Sequence, residues 1–388
     1  MKRAKITPVL SCILLNAAFQ EDSPIFFARL KLPRLNGNRK FSGTEVRKTE
    51  GNFGITLKVG IGLNSDLPIE QITQLAQKAD QLGYDSFWLH EHSFGRDSVT
   101  NMAVVSSVTR KLRLGFGCLS PYVRHPINLA MTVATLQEMS SGRMILGIGT
   151  GFPMRQDLMG IKHEKPIAAL KETIDICREL WSGKTVSFAG KVFDLKNVKP
   201  LLSPMSSLPP IYIAGWKSHM LMLTGRYANG YVAKGGESTQ SLKEIVAEIR
   251  STAMKVRRSI REIETSAYLL THIDKSKEDA LRRARQDPFV IYMMSVQDDY
   301  LYEGTGIDPK LKQPIAQNFF KGKVAEASQN VNDEMLEAFT LVGTTDDVLD
   351  RVDEYRKSGL DLPILQPISM KQEDMYAVLN AGAKLIAA

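Results

Sequence analysis

From Leu57 onward the chain alternates between short apolar runs and longer stretches whose apolar residues recur three and four positions apart. The first run, Leu57–Leu63, predicts a strand that ends in polar Asn64-Ser65-Asp66. In Pro68–Leu82 the residues Ile69, Ile72, Leu75, Ala76, Ala79 and Leu82 share one helical face. Gly83 comes next, as a glycine commonly does just past a helix. Ser86–His90 predicts the second strand, and Asn101–Arg110 lies in the second helix. Leu112–Phe152 then reads as strand, loop, helix, turn, strand. The pieces are Leu112–Cys118, a helix over Pro126–Ser140, a turn at Ser141-Gly142 and a strand over Arg143–Gly149. Two apolar strands joined through a helix form a parallel crossover unit.

The alternation continues to the far end. Helix Pro166–Trp181 precedes Lys184–Pro204, which alternates around Gly190 like a hairpin. Strands are predicted at Pro210–Ala214, Gly230–Ala233 and Thr265–Thr271, with helices Ser218–Tyr227 and Gln240–Arg257 between them. Ser276 to Glu337 reads as a helical insertion, Thr345–Ser358 as the last helix and Pro363–Gln366 as the last strand. Eight strands interleaved with helices predict an α/β fold, a (β/α)8 TIM barrel with insertions over residues 57–388.

Charge changes the picture at one end only. The chain carries a formal net charge of +8. Residues 1–56 hold 10 Lys/Arg against 4 Asp/Glu, and the rest of the chain holds 40 against 38. A near-neutral body gives no basic face for nucleic acid, so the charged extension is expected to be a solvated, disordered arm. Lys2, Arg3 and Lys5 before Val9–Leu15 imitate a short secretory signal. That apolar run is broken, however, and the thirty-odd residues after it are charged and aperiodic, unlike the start of a mature domain. No run of 18 apolar residues is present to span a membrane. Cys12, Cys118 and Cys177 are scattered, with no spacing suited to a disulfide framework or a zinc site. These features predict a cytoplasmic protein acting on a small molecule, with no metal, nucleic-acid or membrane partner.

In a barrel of this kind functional residues sit at the C-terminal ends of strands and in the loops after them. Four clusters meet that test. His90-Glu91-His92 ends the second strand. Two histidines two apart without a third ligand are a poor metal set. A Glu–His pair suits the holding of a polar ring or a proton transfer near neutral pH, and it would equally serve as an ordinary loop pair. Gly115-Phe116-Gly117-Cys118 ends the third strand, and Gly147-Ile148-Gly149-Thr150-Gly151 ends the fourth. Glycine there removes the Cβ that would hold a flat ligand away. The second of these is not a dinucleotide fingerprint, because Phe152 stands where glycine is needed. Gly183-Lys184-Thr185 is not a P-loop, since Arg178 occupies the first glycine position. Ala214-Gly215-Trp216-Lys217-Ser218 joins a strand to a helix, and backbone N–H groups at such a start attract phosphate.

Several of these pieces closely resemble the bacterial-luciferase-like oxidoreductases. They are Leu114-Gly115, Pro121-Tyr122-Val123-Arg124, Ala134-Thr135-Leu136, Gly142-Arg143, Leu146-Gly147-Ile148-Gly149, Glu337-Ala338-Phe339 and Val342-Gly343-Thr344. Within that superfamily the chain is most similar to the deazaflavin-dependent methylenetetrahydromethanopterin reductases, over about residues 57–366. The resemblance implies that Glu91 and His92 are catalytic residues beside the ring of the cofactor. It implies a non-proline cis peptide at Gly117–Cys118 behind that ring, and cofactor contacts from Gly149, Thr150 and Gly151. Ala214, Gly215 and Ser218 would hold the cofactor's phosphate, and the protein would be a homo-oligomer. Two departures stand out. Where those reductases carry a glutamate in the first strand and an aspartate after the fourth, this chain has Gly62 and Phe152. The implied function is hydride exchange between coenzyme F-420 and an organic substrate. An FMN-dependent monooxygenase and a non-catalytic flavin-binding barrel are the alternatives.

Overall fold

The computed structural model describes residues 57–387. The arm expected at residues 1–56 lies outside the described residues.

The apolar runs pair in parallel and in chain order. The barrel strands are β1 (Gly60–Asn64), β2 (Ser86–His90), β3 (Arg113–Phe116), β4 (Met144–Gly149), β7 (Ile211–Ala214), β8 (Gly230–Ala233), β9 (Glu264–Ile273) and β11 (Leu362–Pro367). Gly60 pairs with Ser86 on one side and Ile364 on the other, which closes the ring. β8 pairs with β9 and β9 with β11 to complete it. Strands in such a ring are covered on both faces, so they read as near-continuous apolar runs without alternation. β4 is buried along its whole length. The interior is a packed core in which Trp88, Ile145, Tyr212, Val232, Tyr268, Leu362 and Ile364 form one cluster. A hairpin of β5 (Val186–Ala189) and β6 (Asp194–Val198) is inserted after the fourth barrel strand, as the alternation around Gly190 predicts. The buried Glu172 carboxylate accepts backbone N–H bonds from Lys191, Val192 and Phe193 at 2.6, 3.1 and 3.0 Å and so fixes the hairpin turn.

The structure departs from the sequence reading in three places. A ninth strand, β10 (Leu341–Gly343), pairs with the end of β9 at Thr271–Ile273, beyond the point where β8 leaves it. Thr345–Ser358 is not the last helix, because helix Gln372–Ala387 comes after β11. Its residues Met375, Val378, Leu379, Gly382 and Leu385 are buried at three- and four-residue spacing. The Tyr84 hydroxyl donates to the Leu379 carbonyl at 2.8 Å and fastens this helix to the start of β2. A short helix, Pro153–Leu158, also lies just after β4.

The N-terminal end of the barrel is polar and fully engaged. The Arg143 guanidinium donates to the Ser140, Leu112, Ser106 and Thr109 carbonyls and to the Thr109 hydroxyl, at 2.6–3.1 Å. It thereby satisfies carbonyls left open at the ends of two helices, where a cation also meets the negative end of the helix dipole. Charged hydrogen bonds of this kind contribute roughly 1.5–3 kcal/mol each before neighbours compensate. Arg143→Ala should therefore destabilise the fold by about 3 kcal/mol or more, read as a lower urea midpoint. Arg143→Lys should recover only part, because an ammonium lacks the guanidinium's planar spread of donors. An unchanged midpoint in the alanine variant would show that the five bonds are replaced by water at no cost.

Candidate functional site

The C-terminal strand ends of β1, β2, β3, β4 and β9 meet around one bowl. β2 delivers three polar side chains that diverge. His90 turns inward, with Nδ1 2.8 Å from the Gly117 carbonyl oxygen and its ring 4.0 Å from that of Tyr268. Burial pushes its pKa down to about 4. A neutral ring next to a carbonyl oxygen must donate through Nδ1, which leaves Nε2 as an acceptor with the Gln366 side chain as its neighbour. Glu91 turns sideways and accepts from Arg124 Nε at 3.0 Å and Nη2 at 2.8 Å. Arg124 also binds Asp97. His92 faces Asp66 from the end of β1, with Nδ1 3.5 Å from Oδ2. That is too long for a good direct hydrogen bond. Burial lowers the His92 pKa, the positive charge of Arg155 lowers it further, and Asp66 opposes both. Glu91 and His92 are thus neighbours without being partners, contrary to the Glu–His pair expected from their adjacency. Their divergence also means that the three side chains share no common point at which to hold a metal.

The Gly117–Cys118 peptide is cis, as the resemblance implies. Burial pushes the Cys118 thiol up to about 12, so it is no nucleophile at neutral pH. After β4 the Thr150 carbonyl accepts from Ser120 Oγ at 3.1 Å and from Gln156 Nε2 at 2.7 Å, which pins Gly149-Thr150-Gly151 to the loop after β3. The glycines serve a different end from the one expected. A Cβ at Gly117 would lie 2.1 Å from the Tyr268 hydroxyl, and one at Gly149 would lie 2.5 Å from Cys118 Sγ. At both positions the missing Cβ admits a neighbouring side chain.

The loop Ala214–Ser218 stands beside β4, with Ala214 paired to Gly149. The Ser218 hydroxyl donates to the Glu248 carboxylate, so that side chain is already engaged. Trp216 stacks on Tyr300 of the insertion, with centroids 4.3 Å apart and planes at 20°. Lys217 and Lys234 lie 5.5 and 5.8 Å over the same indole. A larger cavity of about 970 Å³ lies outside the barrel, between helix Pro166–Trp181, the hairpin and helix Ser218–Tyr227. None of its lining residues lies in a barrel strand, so its size does not mark it as the site.

Around the bowl, Ser65 Oγ, Asp66 Oδ1, His92 Nδ1, Gln156 Oε1 and Tyr268 Oη are buried polar atoms without a hydrogen-bond partner in the protein. Such atoms are uncommon in a folded interior and mark places where another group is received. Asp66, Arg124, Gln156 and Tyr268 are site residues that the sequence reading does not single out. Arg124 is visible inside the Pro121–Arg124 motif, and Asp66 in the polar end of the first strand. Tyr268 gives no sequence signal, being one aromatic in an apolar strand. Its ring fills the space in front of Gly62, where a Cβ would lie 2.4 Å from Cε1.

The low pKa of His90 makes stability depend on pH with a definite sign. Below its ordinary value of 6.5 the unfolded chain takes up a proton that the folded ring refuses down to about 4. The unfolded state therefore binds more protons in that window, and stability must fall as pH drops through it. Melting temperature should decline from pH 6.5 to 4 and then level off in this respect, and His90→Gln should decline less steeply. Parallel curves for the two proteins would mean that His90 titrates alike in both states.

The model of the family described as luciferase-like monooxygenase matches residues 52–362. The chain is 30% identical to the 5,10-methylenetetrahydromethanopterin reductase of Methanolobus tindarius, over 76% of its own length and 89% of that protein. It is 28% identical to the enzyme of the same name from Archaeoglobus fulgidus, over 78% of its length and 91% of that protein. Among solved structures it is similar to the coenzyme F-420 dependent tetrahydromethanopterin reductase of Methanopyrus kandleri. The TM-score there is 0.77 at 26% identity, covering 83% of this chain and 97% of the other. With this barrel, this rim and this extent of match, the chain belongs to the luciferase-like monooxygenase family and is an oxidoreductase.

Proposed function

We propose that the enzyme exchanges a hydride between coenzyme F-420 and a small organic substrate at the mouth formed by β1, β2, β3, β4 and β9. The observation that carries this reading is the ring of buried, unpartnered polar atoms around Gly117–Cys118. A flat ring with a polar edge meets that need, and relatives whose names specify F-420 point to the cofactor. When bound, the deazaflavin supplies the hydride chemistry, and the protein supplies binding, orientation and exclusion of water. His92 would hold the polar edge with its neutral ring, and Arg124 would fix the Glu91 carboxylate at the side of the bowl. His90 fixes the Gly117 carbonyl and thereby the strand end behind the ring. The backbone of Ala214, Gly215 and Ser218 would receive the phosphate, since the Ser218 hydroxyl is taken up by Glu248. Gly62 and Phe152 replace the two acids of the pterin reductases, so we leave the pterin itself out of the proposal. We further place the enzyme in the cytoplasm as a homo-oligomer. Among the described residues no helix is long and apolar enough to cross a membrane.

Titration of the purified protein with F-420 and with FMN tests the reading directly. F-420 should bind the more tightly and be reduced or oxidised with turnover. FMN binding with NADH-driven oxygen uptake would replace the proposal with a monooxygenase. Binding without any turnover would leave a flavin-holding barrel.

His92→Ala should weaken F-420 binding by about 5- to 150-fold, the range for one lost polar contact of roughly 1–3 kcal/mol. Glu91→Gln keeps the shape and removes the charge that Arg124 holds. Wild-type affinity and turnover in both variants would make the two residues structural and remove them from the site.

A further inference from the structure

The loops after β2, β3 and β4 line a cavity of about 290 Å³ that opens onto the proposed ring site and shares Glu91, His92, Cys118 and Gly151 with it. That is near the lower end of the roughly 300–1,000 Å³ usual for ligand pockets. Buried Ser120 and Gln156 line it together with His92 and Cys118. Its open rim carries three exposed apolar side chains beside Arg96 and Asp97: Phe94 is 56% exposed, Phe152 44% and Met159 40%. Phe94 is also held at φ 122°, a conformation that costs a residue with a side chain and persists only where the surroundings impose it.

The two guanidiniums lining this cavity, Arg96 and Arg155, are not paired with its two carboxylates. Its two carboxylates, Glu91 and Asp97, are both spent on Arg124. Arg96 donates to the Asp66 backbone carbonyl. Arg155 leans over the Phe152 ring at 5.9 Å. Among the described residues neither Arg96 nor Arg155 has a carboxylate within ion-pair distance. An uncompensated guanidinium beside exposed aromatic rings offers a carboxylate two parallel hydrogen bonds and offers a flat body a stacking wall.

We infer that the substrate is an amphipathic organic anion, with a planar apolar body against Phe94 and Phe152 and a carboxylate on Arg155. This rests on reading the mouth as the hydride-transfer site, and it adds the class of molecule brought there. Arg155 is also the positive charge that helps keep His92 neutral. A bound carboxylate would offset that charge, so an occupied pocket raises the basicity of the imidazole beside the reacting centre.

Calorimetry on the full chain with naphthalene-2-carboxylate and naphthalene-2-carboxamide tests this, because the two probes share one body and differ in charge. The carboxylate should bind about 10-fold tighter or more at low salt, as a charged hydrogen bond predicts. Arg155→Gln should erase the difference and leave carboxamide affinity unchanged. Phe152→Asp should weaken the carboxylate selectively. Equal affinities, no binding of either probe at millimolar concentration, or a preference that survives Arg155→Gln would overturn the inference. So would displacement of the carboxylate by equimolar inorganic phosphate, which would make the site one for any anion. An F-420 titration of the same samples separates the two readings. Normal F-420 binding without carboxylate preference defeats this inference alone. Carboxylate preference without F-420 binding defeats the cofactor assignment alone.

Discussion

The mouth of the barrel depends on how Tyr268 fills its upper end. The ring occupies volume that side chains at residues 62 and 117 would need, coming within 2.4 and 2.1 Å of their would-be Cβ atoms. It packs edge-on against Trp88, with centroids 6.4 Å apart and planes at 81°. It also lies against the imidazole of His90. His90 in turn holds the Gly117 carbonyl, so one buried aromatic sets the height of the β3 end relative to β2. A smaller residue at 268 would leave a cavity beneath the β3 end and free His90 to rotate. A glutamate at residue 62 would have to displace the phenol.

The two ends of the barrel are built to opposite rules. At the N-terminal end Glu264 is shared by Arg113, Tyr212 and Lys58 at 2.9, 2.5 and 2.6 Å. Burial alone would raise its pKa, but Arg113 and the hydrogen bonds from Lys58 and Tyr212 bring it below the usual range. The donors gathered there have acceptors, which suits an end concerned with stability. At the C-terminal end Ser65, Asp66, His92, Gln156 and Tyr268 keep unpartnered atoms. Each such atom costs roughly 1–3 kcal/mol unless another group meets it. An interior that tolerates several of them in one place gives up stability where ligand contacts can return it.

The fold is largely legible in the sequence because a barrel strand has a simple signature: a short, fully apolar run with an amphipathic helix after it. The ring of eight parallel strands and the hairpin around Gly190 can be read on that basis. β10 escapes because three residues are too few to show a period, and it pairs only where β9 outruns β8. The C-terminal helix does carry its pattern, in Met375, Val378, Leu379, Gly382 and Leu385. The site is legible in part. Strand-end position picks out Glu91, His92 and Gly117–Cys118, but partners cannot be read from adjacency. Glu91 reaches Arg124, 33 residues on, and His92 reaches back to Asp66. Those distances along the chain are set by barrel closure, which no local pattern encodes.

The order of the Ala214–Ser218 loop also comes from a distant segment. Trp216 lies on Tyr300, from the insertion after β9, and not on a residue of its own strand. The Tyr300 hydroxyl donates to Glu237 Oε1 at 2.6 Å, Ser241 Oγ donates to Oε2 at 2.8 Å, and the Tyr355 hydroxyl donates to the Glu237 carbonyl at 2.6 Å. Glu237 is 1% exposed, and burial raises its pKa despite these donors. Glu237 after β8 therefore holds the insertion through its carboxyl and helix Thr345–Lys357 through its backbone carbonyl, and Tyr300 carries that link to Trp216. Lys234 extends the link to Asp298. The insertion is thus part of the wall of the site: its anchoring residues fix where Trp216 and the two lysines stand. A change at Glu237 would be felt at the loop without touching any residue that a ligand contacts.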